Sequence, residues 1–100
     1  MQQGGHQANR PFTEEEIRLY RIAQARQSYY DGHIRDLTEI AHRWRFPRPN
    51  HIHEAVMVLH RATHCLYMLT NPLGLTPSRL ARALNEADNC VIRAKSLLGV

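Results

Sequence analysis

Leu80, Leu84, Ala87, Val91, Ala94 and Leu98 recur at alternating spacings of four and three, with no glycine or proline between residues 78 and 98. A strand would repeat every second residue, so this stretch is an amphipathic helix whose apolar seam must be buried against another element. Thr76 is placed to cap it, and Pro77 takes its first position, where a missing N–H costs nothing. A chain of 100 residues has room for one such core, and a hydrophobic content of 43% is enough to build it.

The helical period also runs upstream. Thr13 followed by Glu14, Glu15 and Glu16 predicts a capping box between Thr13 and Glu16, with Phe12 and Ile17 as its hydrophobic staple and a Glu14 to Arg18 pair one turn on. Ile17, Leu19, Tyr20, Ile22, Ala23, Tyr29 and Tyr30 form a broad apolar face that meets Asp31-Gly32, a turn signal. Ile34, Leu37, Ala41 and Trp44, with Ile40 beside them, make a second stripe, which Pro47 and Pro49 must end. Asn50 then caps a helix with Glu54 in its first turn and Ile52, Val56, Leu59, Ala62 or Thr63, Leu66 and Leu69 as its buried line. Asn71-Pro72-Leu73-Gly74 stops it.

The expected fold is all-α, a small bundle of three to four amphipathic helices over residues 12–100, with a disordered N-terminal tail over 1–11. The helices are expected at about 14–30, 33–46, 51–70 and 77–98, the first two being either separate or one kinked helix.

Several classes of function find no support in the residues. No apolar run approaches the ~20 residues that span a bilayer, so no membrane association is expected. The N-terminus lacks a basic region and an apolar core, which points to a cytoplasmic protein. Cys65 and Cys90 are too few and too far apart for a disulfide framework and read as buried thiols. There is no glycine-rich phosphate loop and no G-x-S-x-G, and none of Ser28, Ser78 and Ser96 has a base beside it in sequence. Neither an enzyme nor a cofactor is expected. Helical ribonucleases of the HEPN class have an Arg and a His separated by four to six residues. Arg26 with His33, Arg35 with His42, Arg45 with His51 and Arg48 with His53 all fit, but do not stand out against roughly 2.5 such pairs expected by composition.

The charge is more informative. Thirteen basic residues face nine acidic ones for a net charge of +4, and every basic residue but Lys95 is an arginine, so the expected partner is an acidic macromolecule. Arg43, Arg45 and Arg48 surround Trp44 and Phe46, a mixture suited to phosphate contact and base stacking. Trp44 also closes the stripe begun at Ile34, which would put it in the core with the arginines reaching outwards. On the last helix Arg79, Arg82, Glu86, Asn89 and Arg93 share the side away from the seam, either as a phosphate-binding face or as a solvated one in which Glu86 pairs with Arg82. A helix-turn-helix fits this region less well than one long helix, because no breaker marks a turn and Glu86 falls where an apolar residue belongs.

His53, His60 and His64 line up along the preceding helix with Met57 and with Tyr67 or Met68. The stripe suits a half-buried interface, or a metal site completed by His33, His42, Asp31 or Glu39; Arg61 stands where a zinc peptidase needs its glutamate. The expectation is a non-catalytic, basic helical binding protein, a regulator or inhibitor. It would dock through its arginines on nucleic acid or on a nucleic-acid-handling protein complex. Self-association through the His/Met/Tyr face, metal-linked or not, is the alternative, and a small helical ribonuclease is the third reading.

Overall fold

A computed structural model describes residues 10–100, which form three α-helices: α1, Glu14–His42; α2, Asn50–Tyr67; and α3, Pro77–Leu98. The tail expected over 1–11 lies outside the described residues except for Arg10 and Pro11, and Arg10 is anchored by an ion pair to Glu16. No described helix is long and apolar enough to cross a membrane.

The expected break at Asp31-Gly32 does not occur, so the first two predicted helices are one helix of 29 residues. A glycine inside a helix costs about 1 kcal/mol. Tyr30, Ile34 and Leu37, on either side of Gly32, are all buried in the same cluster, and each such side chain gains roughly 1.5–3 kcal/mol on burial. Packing therefore overrides the local turn preference. The helix ends at His42 rather than 46, short of the cis peptide between Phe46 and Pro47. Asn50 is not a cap: it is the first helical residue of α2, behind Pro49, whose carbonyl accepts from the N–H groups of Ile52 and His53 at 3.1 Å. Glu54 accordingly falls beyond the first turn. Thr76 and Pro77 start α3 as expected, and Gly99 closes it at φ +74°, a left-handed conformation that glycine adopts without strain.

α1 and α3 run in the same direction with α2 antiparallel to both. Tyr30, Ile34 and Leu37 of α1 meet Leu59, Ala62 and Leu66 of α2 and Ala87, Val91 and Ala94 of α3 in the larger core cluster. Leu19 and Ala23 meet Leu69, Leu75 and Leu80 in the smaller one, so the start of α1 lies beside the connection between α2 and α3. Of the broad apolar face predicted on α1, Ile17, Ile22 and Tyr29 remain exposed, as does Phe12 of the proposed staple.

Two polar contacts hold α1 in place. The Tyr30 hydroxyl lies 3.1 Å from Asp88 Oδ1 and accepts from Arg26 at 3.2 Å, and burial raises its pKa. At the other end, the Glu16 carboxylate completes the capping box with Thr13, accepts a two-pronged contact from Arg10, and accepts the Gly74 N–H at 2.7 Å. Gly74 presents that N–H from a turn at φ +73°.

Candidate functional site

All the predicted residues but His53 and Tyr67 fall into two places. The first is the turn between α1 and α2. Arg43 follows the last residue of α1, the chain bends at Trp44, Phe46 and Pro47, and Pro49 is extended just before α2 begins. Because α1 stops at His42, Trp44 leaves the helical line that would have carried it into the core: it is 44% exposed, edge-on to His51 at a ring separation of 6.0 Å. Phe46 is 79% exposed, with the Arg48 guanidinium stacked on its ring at 4.4 Å. Among the described residues Arg43, Arg45 and Arg48 have no carboxylate within 4.0 Å, whereas Arg10, Arg18, Arg61 and Arg93 all do. The turn thus carries uncompensated positive charge beside two accessible rings.

The second place is a groove between α2 and α3, made of two adjoining hollows that share His64 and Glu86. Arg79, Arg82, Glu86, Asn89 and Arg93 all line it from α3, and Met57, His60 and His64 line it from α2. The two faces that the sequence sets in competition are therefore opposite walls of one surface. Antiparallel packing in a single register brings them together, with Glu54 opposite Arg93 and Arg61 opposite Glu86. Arg93 donates to Glu54 from both Nε and Nη2, and Arg61 approaches Glu86 at 4.0 Å, so the expected Glu86 to Arg82 pair is replaced by a bridge across the helices. Glu15, not Glu14, is the partner of Arg18. Arg79 donates to the Gly74 carbonyl at 2.9 Å, and Arg82 has no carboxylate partner among the described residues.

The histidine stripe is not half-buried. His53, His60, His64, Met57 and Tyr67 are all exposed, and His53 and Tyr67 stand outside the groove. Among the described residues no three His, Cys, Asp or Glu side chains converge in a way that could hold a metal ion, so the suggested third ligands do not complete a site. Val58, Cys65, Ala83 and Cys90 form the groove floor. Burial pushes both thiols above their ordinary pKa, which disfavours the reactive thiolate. Of the floor, the sequence marks only Cys65 and Cys90, as buried thiols; Met68, the alternative to Tyr67 at the end of the stripe, follows α2 directly and lies in the groove where Tyr67 does not.

Comparison with protein-family models, curated proteins and solved structures gives no match.

Proposed function

We propose that this chain is a non-catalytic helical binding protein that engages single-stranded nucleic acid through the turn between α1 and α2. The observation that carries the reading is the exposure of Trp44 and Phe46 beside three arginines that lack carboxylate partners. Single strands are held by basic side chains that follow the phosphates and by aromatic rings on which bases stack, and the turn supplies both. A protein so bound would act as a regulator or inhibitor by occupying a strand that another factor must reach.

Trp44 is the sole tryptophan, so its emission reports the turn directly. An oligo-dT titration at low salt is expected to quench that emission and raise the anisotropy of a labelled strand. Affinity should then fall steeply with salt. Replacing Arg43, Arg45 and Arg48 by Ala is expected to flatten the log–log salt slope by up to about 2, at roughly 0.7 per single-strand phosphate contact. Absence of both quenching and anisotropy change at low salt rejects the reading.

A further inference from the structure

The groove between α2 and α3 is chemically unlike the turn. Its floor is apolar, and its α2 wall carries Met57, which is 57% exposed, and Met68, which is 52% exposed. Thioether side chains are unbranched and polarisable and adapt to irregular apolar surfaces, so two exposed on one wall suit a side-chain-rich partner. No aromatic ring other than histidine lines the groove, and the stacking platform that single strands require is found elsewhere, at the turn.

Length and charge narrow the occupant. From Glu54 to Met68 the groove follows α2 for about 21 Å at 1.5 Å per residue, close to four helical turns. Four arginines and two glutamates line it, and both glutamates already face Arg61 and Arg93. The uncompensated charge therefore lies at Arg79 and Arg82, at the end where α3 begins. A second copy of this chain is a poor match, because the exposed Ile17 and Ile22 of α1 make a patch of only two apolar side chains, with Glu14 and Arg21 beside it and Arg18 already paired with Glu15. Such a patch is shorter than the groove, and Arg21 would be set against Arg82.

We infer that the α2–α3 groove receives an acidic amphipathic helix of a partner protein, about four turns long, with its apolar side chains on Met57, Val58, Cys90 and Met68 and its carboxylates on Arg79 and Arg82. Such a helix engages a groove through apolar anchors at i, i+3 or i+4, and i+7. It would lie along α2 and α3 as a fourth helix. Complementary charge at one end sets its direction and excludes basic helices. The inference does not depend on nucleic-acid binding at the turn.

The test uses the full chain, 15N-labelled, and two designed peptides of about 15 residues with leucines at the anchor spacings, one filled with Glu and the other with Lys. The Glu peptide is expected to shift amides within 57–68 and 79–93 saturably while leaving Trp44 emission unchanged. Arg82→Glu and Met57→Glu, both at exposed positions, should each weaken it about tenfold with an unchanged melting temperature. Failure of the Glu peptide to saturate by about 1 mM overturns the inference. So does equal binding of the Lys peptide, displacement of groove amides by oligo-dT, or concentration-dependent shifts of the groove amides with no peptide present, which would mark self-association.

Discussion

The Glu16 carboxylate, while capping its own helix, accepts the backbone N–H of Gly74 at 2.7 Å from 58 residues further along the chain. One side chain thus ties the start of α1 to the connection between α2 and α3. The Arg10 guanidinium first, then the Thr13 and Gly74 N–H groups, hold this carboxyl well below the usual carboxylate range. The unfolded chain therefore takes up this proton at a higher pH than the folded one, so the stabilisation is complete above the ordinary carboxylate pKa and is lost as pH falls below it. The melting temperature should rise between about pH 2 and pH 5. In Glu16→Gln this rise should be smaller, and the melting temperature at neutral pH should drop by several degrees. Glu15→Gln, which removes only an exposed pair with Arg18, is the control and should change it less.

Gly32→Ala distinguishes a continuous α1 from two helices joined by a turn. A Cβ at Gly32 meets nothing within 4 Å, and the residue is helical. The substitution should stabilise the protein by about 0.4–1 kcal/mol in urea unfolding. Loss of stability would mean that the chain turns at this point.

Tyr30→Phe removes the hydroxyl shared by Asp88 and Arg26 without emptying the core. A hydrogen bond of this kind contributes about 1 kcal/mol, which corresponds to a fall in melting temperature of roughly 4–8 °C for a domain of this size. Thermal denaturation followed by circular dichroism reads it.

Leu66→Ala deletes a side chain that is 1% exposed within the larger cluster. The expected cost is about 2–5 kcal/mol, measured as a lower urea midpoint, and it should exceed that of Ile22→Ala, since Ile22 is exposed.

Phe46→Ala separates stacking from charge at the turn. If bases stack on this ring, oligo-dT binding should weaken by about 1–3 kcal/mol while the salt slope stays the same. An altered slope with unchanged affinity would assign Phe46 no stacking role.

The parts of the fold that were legible in the sequence are those decided within one or two helical turns. The α3 seam, its Thr76 cap and the Thr13–Glu16 capping box depend on neighbours three and four residues apart, and all appear as expected. Gly32 was misleading because the forces that hold it helical come from Leu59 and Val91, on other elements. Trp44 fits the stripe spacing from Ala41, but spacing carries no information once the helix has ended at His42. Eight residues of the groove walls were visible as two separate faces, without the apolar floor between them. Their union was not, since the lateral register of α2 on α3 is a tertiary fact, set by which flanks of the two seams meet.

The two ends of the bundle are unequally fastened. Where α1 begins, Glu16 clasps Gly74 and Leu75 is buried beneath it. Where α1 ends, the chain from Arg43 to Pro49 is exposed or only partly buried between the buried Ala41 and Ile52, and the polar tie there between α2 and α3 is a surface ion pair. Local opening begins where few buried contacts must be broken. Amide hydrogens around Arg43 to Arg48 should therefore exchange with solvent early, while those of Leu19 and Leu80 wait for global unfolding. Unzipping from that end would release the Trp44 turn first and leave the remaining helices paired.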